Sequence, residues 1–129
     1  PDTDLRIGTS IFSGCCKLKK VALSRNIKQI PETCFLGCCM IENLFIPNGV
    51  ISIDNSAFME CRGLINIQIF NSIERIKKHA FYNCKSLTNI IFKGTKEQWK
   101  AIEKENAWDA GADSYTVYCI DGNIPKQNA

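Results

Sequence analysis

The sequence predicts a repeat solenoid of α/β type, in which short parallel strands alternate with 3₁₀ or short helical turns and a different segment closes the C-terminal end. Three observations predict it. Phe12, Phe35, Phe58 and Phe81 stand 23 residues apart, Cys15, Cys38, Cys61 and Cys84 each follow a phenylalanine by three, and no insertion or deletion disturbs the phase. Self-similarity at a period of about 20 to 50 residues decides the architecture before any local signal does.

The same phase carries the rest of each unit. Leu18, Ile41, Leu64 and Leu87 recur at the interval, as do Val21, Leu44, Ile67 and Ile90, then Leu23, Ile46, Ile69 and Phe92. Later come Ile27, Val50 and Ile73, then Ile30, Ile53 and Ile76, and last the smaller Cys34, Ala57 and Ala80. Ile7 and Ile11 fall where Ile30 and Cys34 fall one period on, so the chain is expected to begin inside a repeat, with Pro1 marking a mature or trimmed start. The Leu-x-x-Val-x-Leu stretch at 18–23 ends in strict alternation, which sends residues two apart to one face of a short strand. The Phe-x-x-Cys-x-x-Leu stretch repeats every three residues, as a 3₁₀-like or single helical turn requires. Strand, turn and return within 23 residues complete one coil, which cannot bury its own apolar side. Stacking solves this: equivalent strands pair in parallel about 4.8 Å apart and equivalent side chains form interior columns.

The solenoid is expected over residues 1–93 and a capping segment over 94–129. After Phe92 the phase fails, and counting one period places Trp99 where Ile76 stood. Thr95 to Gln98 reads as a capping box opening a short helix that reaches about Lys104, with Trp99 and Ile102 turned inward. Residues 106–114, small and polar, read as a loop carrying Trp108. Tyr115 to Ile120 reads as a strand and Asp121-Gly122 as a turn. A last coil needs such a cover, because an open sheet edge and bare apolar columns invite association.

These units resemble the BspA-like leucine-rich repeats of bacterial and protist surface proteins. The residues that carry the likeness are Ile46-Pro47-Asn48-Gly49-Val50-Ile51-Ser52-Ile53 followed by Ala57-Phe58-Met59-Glu60-Cys61. It covers residues 5–93 through repeats and continues into the end segment, whose 94–99 and 115–119 stretches are similar to those ending repeat arrays in related gut-bacterial proteins. The frame Leu-x-x-Leu-x-Leu-x-x-Asn is complete in the first unit alone, at Asn26. Gly49, Ser72 and Thr95 take that place later, so no asparagine ladder is expected at that turn. The resemblance implies a leucine-rich-repeat coil, display at the cell surface or secretion, and adhesion or contact between host and microbe.

Composition narrows the function without naming it. In 129 residues, 45% are apolar and 22% charged, with a net charge of +3 and a pI near 8.5, an ordinary balance for one folded unit. The basic residues are scattered, which speaks against nucleic acid. No apolar stretch is long enough to insert in a membrane, and no signal-peptide pattern opens the chain. The eight cysteines do not read as a metal centre, because Cys15, Cys38, Cys61 and Cys84 form a line instead of converging on one point. Buried reduced thiols filling a small slot explain them. Cys16 and Cys39, at equivalent places on adjacent coils, leave a disulfide open as an alternative. Cys119 is expected beneath the cap.

No catalytic or cofactor-binding constellation emerges. The single histidine, His79, has Ser10, Thr33 and Ser56 as its equivalents, residues suited to an exposed turn. The carboxylates Glu32, Asp54 and Glu74 fall on different turns, which fits solvated surface better than a paired acid and base. The chain is thus expected not to be an enzyme and to hold no cofactor and no metal.

The outward strand face is the candidate site. Alternation places Lys20, Ala22 and Ser24 there, then Asn43, Phe45 and Pro47, then Asn66, Gln68 and Phe70, then Asn89, Ile91 and Lys93. Of these, Asn43, Phe45, Asn66, Gln68, Phe70, Asn89 and Ile91 are the candidate partner-binding residues. The asparagines form a column able to bond a partner or each other, and Phe45, Phe70 and Ile91 have no core reason to face outward. Two functions are expected from this face: a non-catalytic module binding a protein or glycan, or a spacer and terminal cap with no ligand of its own. An open strand edge at the N-terminal end also suggests self-association.

Overall fold

The computed structural model describes residues 18–126 together with the backbone of Asp4–Leu5. Ile7, Ser10, Ile11, Phe12, Cys15 and Cys16 lie outside the described residues, and with them the first members of the phenylalanine and cysteine columns and the Cys16–Cys39 bridge.

The described chain is a solenoid of stacked coils with parallel strands and little helix. Its strands are β1 (Asp4–Leu5), β2 (Ala22–Leu23), β3 (Gln29–Ile30), β4 (Asn43–Phe45), β5 (Ser52–Ile53), β6 (Asn66–Phe70), β7 (Arg75–Ile76) and β8 (Asn89–Lys93). Then follow the one helix described, α1 (Lys96–Ala101), and β9 (Glu103–Lys104), β10 (Thr116–Cys119) and β11 (Gly122–Pro125). One sheet runs β4-β6-β8-β10-β11 and a second, on the opposite flank of each coil, runs β3-β5-β7-β9; β1 pairs with β2. Every pair is parallel except β10–β11. Register follows the 23-residue period, with Leu44 beside Ile67 and Ile67 beside Ile90.

The predicted columns are stacked rows. The rings of Phe35 and Phe58 lie 5.3 Å apart and 3° from parallel, and those of Phe58 and Phe81 lie 5.2 Å apart and 11° from parallel. At about 1.5 to 3 kcal/mol for each buried large side chain, this row alone contributes several kcal/mol. Beside it, the Cys61 thiol donates to the carbonyl oxygen of Phe35 and the Cys84 thiol to that of Phe58, both at 3.0 Å. The cysteine column is therefore more than a space filler, since each of these thiols ties its coil to the one before. At the turn where no asparagine ladder was expected, the Ser72 hydroxyl accepts from the Gly49 N–H and donates to the Val50 carbonyl, each at 2.9 Å.

The turns between sheets use left-handed backbone in two files. Thr33, Ser56, His79 and Ala107 have φ between 55° and 60°; Gly37, Glu60, Asn83 and Gly111 have φ from 59° to 85°. His79 is accordingly half-buried in a constrained turn, edge-on to the Tyr82 ring at 5.0 Å, and not simply exposed as its equivalents suggested. Successive coils are tied here by backbone bonds such as Phe35 N–H to Ala57 O, Phe58 N–H to Ala80 O and Phe81 N–H to Trp108 O.

That series corrects the sequence reading of the end segment. Trp99 does not take the place of Ile76; Lys104 does, pairing with it in β7–β9. The gap from Ile76 to Lys104 is 28 residues, five more than the repeat, and the excess is taken up by α1. The helix stops at Ala101, short of the expected Lys104, because Ile102 is already extended at φ −64°, ψ 131°. Its start is as expected, with the Thr95 side chain accepting from Gln98 N–H and the Gln98 side chain accepting from Thr95 N–H. Beyond it the coil resumes: Glu105 N–H bonds Ile76 O, and Asn83 N–H bonds Ala110 O. The end segment also holds two strands that a helix, loop and single strand did not anticipate, β9 and β11.

Aromatic rings close the core. Trp108 meets Phe81 edge-on at 6.0 Å, Trp99 meets Phe92 at 5.3 Å and Trp108 at 6.0 Å, and Tyr115 lies 6.0 Å beyond Trp108. Trp99 and Tyr115 are wholly buried. The Tyr115 hydroxyl donates to the Asp109 carboxylate, and burial together with that bond pushes the phenol far above the usual tyrosine range.

Candidate binding face

The outer face of the β4-β6-β8-β10 sheet is built by alternation. Leu44, Ile67, Ile69, Ile90, Phe92 and Val117 point inward and are buried, so the residues between them must face out. Register arranges these in rows across the coils. One row is Asn43, Asn66, Asn89 and Thr116; the next is Phe45, Gln68, Ile91 and Tyr118. Phe70 stands two residues along β6, paired with Lys93. All seven residues singled out from the sequence thus share one face.

Their surroundings differ. The three asparagines bond each other: the Asn66 amide donates to the Asn43 side-chain oxygen at 2.6 Å, and the Asn89 amide donates to that of Asn66. This ladder spends donors that a partner would otherwise meet. Phe45 is 64% exposed, whereas Phe70, Gln68 and Ile91 are half-buried by their neighbours. Phe45, Gln68 and Phe70 line a hollow of about 510 Å³ together with Val21, Ala22 and Leu23 of the preceding coil and with Arg25 and Asn48.

Tyr118 and Ile120, both exposed, continue the apolar strip onto the cap. Alternation from buried Val117 along β10 turns Tyr118 outward as well, a signal that lies beyond the last regular coil. Ile120 follows β10 in the turn, where alternation gives no guide.

The Cys61 and Cys84 thiols are unsuited to nucleophilic work. Burial drives Cys84 up to about 12 and Cys61 higher still, whereas a reactive thiolate needs a lowered pKa. Among the described residues no group of three or more His, Cys, Asp or Glu side chains could hold a metal ion, and no helix is long and apolar enough to cross a membrane.

Comparison with known proteins agrees with this geometry. Residues 1–104 match the family model of the BspA type leucine rich repeat region, in six copies. Among solved structures, the chain is similar to a leucine rich cell surface protein from Faecalibacterium prausnitzii A2-165, at 38% identity and a TM-score of 0.73. The match covers 74% of this chain and 25% of that one, so this chain corresponds to a minor part of the larger protein. No curated protein matches.

Proposed function

The chain belongs to the BspA-type leucine-rich-repeat family, and we propose that it is a non-catalytic binding module of a cell-surface protein, meeting a protein or glycan through its outer strand face. The contact residues in this reading are Asn43, Phe45, Asn66, Gln68, Phe70, Asn89 and Ile91, with Tyr118 added from the cap strand. One observation carries it. Phe45 is a large apolar side chain, 64% exposed, in a place the core does not require, and it stands over a hollow that it shares with Phe70. Contiguous apolar surface rimmed by polar groups is the usual mark of a contact site. The neighbouring asparagine ladder and the stacked core hold that face rigid, which lowers the entropy lost on binding.

The test is retention of beads coated with the chain on immobilised extracellular proteins and on immobilised glycans. Replacing Phe45 and Phe70 together by serine is expected to reduce retention at least tenfold while circular dichroism stays unchanged. Unchanged retention with an intact fold would leave the second reading, a spacer and terminal cap. The ring cluster of Trp99, Trp108 and Tyr115 closing the last coil favours that alternative.

A further inference from the structure

The first two fully described coils, those of β2 and β4, are joined on one flank and parted on the other. On the joined flank β3 pairs with β5, Gln29 beside Ser52 and Ile30 beside Ile53, and Ile51 N–H bonds Lys28 O at 2.7 Å. On the outer flank the five-stranded sheet ends at β4, and no ladder joins β4 to β2 among the described residues. The next pair of coils shows what is missing: β4 and β6 pair through three residues, and Ile46 N–H bonds Gln68 O at 2.9 Å. Because Ile46 turns its N–H toward β6, alternation turns the Asn43 and Phe45 N–H and C=O groups toward β2. The hollow of about 510 Å³ lies at this parting, lined by Ala22 and Leu23 of one coil and by Phe45 and Pro47 of the next.

We propose that this parting receives an extended acidic peptide segment of a partner protein. The peptide lies along the open edge of β4 and supplies the strand the ladder lacks. An apolar side chain seats against Phe45 and Phe70, and a carboxylate meets Arg25. The inference rests on the binding-face reading above and names its partner.

Three observations select this occupant. An unpaired strand edge offers alternating donors and acceptors at the spacing of a peptide backbone, the basis of recognition by strand addition. Among the described residues Arg25 is the only ionised side chain lining the hollow, and it makes no ion pair with any of them. Its lining is mainly apolar, with Asn48 and Gln68 the other polar side chains. A sugar, whose ring is ringed with hydroxyls, needs a denser set of polar partners than that.

The experiment uses the intact chain and two arrays of acetylated hexapeptides of alternating valine and leucine, one bearing a glutamate at each position in turn and the other a lysine. Glutamate peptides are expected to bind, and N-methylation of alternate backbone amides is expected to abolish binding. Arg25→Glu is expected to lower affinity for glutamate peptides at least tenfold and to admit lysine peptides. Hydrogen exchange is expected to show the Asn43 and Phe45 amides exchanging faster than those of Asn66 and Gln68 in the free chain, and slowing when the best peptide is added.

The proposal is overturned if no glutamate peptide binds, if the N-methylated form binds equally well, if Arg25→Glu changes nothing, or if the Asn43 and Phe45 amides are already as protected as those of Asn66 and Gln68. Protection that instead rises with chain concentration, alongside a dimer in sedimentation, assigns the edge to a second copy. A glycan that binds at Phe45 and is not displaced by peptide assigns it to sugar. If retention of coated beads still falls in the Phe45 and Phe70 variant while every peptide fails, the binding face stands and this inference alone is lost.

Discussion

Lys104 pairs in register with Ile76, so the column in which Ile30, Ile53 and Ile76 are wholly buried ends on a lysine. Its ammonium donates to the carbonyl oxygens of Trp99 at 2.7 Å and Ile102 at 3.3 Å, 4.7 Å from the centre of the Trp99 ring. A cation at the C-terminal end of a helix meets the negative end of the backbone dipoles, and one over an indole face gains further. Burial pulls this lysine below its ordinary pKa, the cost these contacts offset. Lys104→Met keeps the stem and removes the charge. It is expected to destabilise the chain by about 1 to 3 kcal/mol, read as a lower urea midpoint at unchanged slope. An unchanged or higher midpoint would mean that the ammonium contributes nothing.

Phe58 is stacked on both faces, by Phe35 and by Phe81, and each coil touches only its neighbours. Removing the ring therefore loosens two interfaces at once. Phe58→Ala is expected to cost about 3 to 5 kcal/mol, and Phe58→Leu, which refills most of the volume, less than about half of that. Equilibrium denaturation of the two variants decides it. Equal losses would show that stacking and volume at this site do not matter.

What the sequence made legible follows from how each feature is encoded. The Phe35–Phe58–Phe81 row and the strand alternation were plain, because burial demands an apolar side chain at the same place in every coil. The outward face followed from the same alternation, and all seven candidate residues lie on it. The five-residue excess before Lys104 was hidden, because counting 23 from Ile76 lands on Trp99, itself wholly buried and a plausible column member. The left-handed turn files were hidden too: they are held by backbone bonds, and the hydroxyls of Thr33 and Ser56 give way to His79 and Ala107 at the same place. The parting between β2 and β4 leaves no mark, since Leu23 and Ile46 keep the repeat in full.

Alkaline pH is expected to weaken the fold through its buried acids. Cys84 has its pKa raised from 9.0 to about 12 by burial, and Cys61 and Tyr115 are raised further, burial being the largest cause for each. A raised acid keeps its proton in the folded state while the unfolded chain loses it. Stability is thus full below the unfolded pKa and falls as pH rises from there toward the folded value. For each such thiol the slope approaches about 1.4 kcal/mol per pH unit, beginning near pH 9 and running to about 12 for Cys84. Urea midpoints between pH 7 and 11 are expected to be flat at first and then to drop. Cys84→Ala should lose its share of that slope, and a parallel curve would refute the assignment.

The asparagine ladder makes the last prediction, because its two bonds share one residue. Asn66 donates to Asn43 and accepts from Asn89, so Asn66→Ala removes both, while Asn43→Ala or Asn89→Ala removes one. On a half-exposed face each bond is worth about 0.5 to 1.5 kcal/mol net. Asn66→Ala is therefore expected to cost about twice as much as either end variant. In the Asn66→Ala background, replacing Asn43 should cost almost nothing further. A double-mutant cycle on urea midpoints measures this coupling directly. Strict additivity between Asn43 and Asn66 would show that the amides bond water instead of each other, and would return their donors to the binding face.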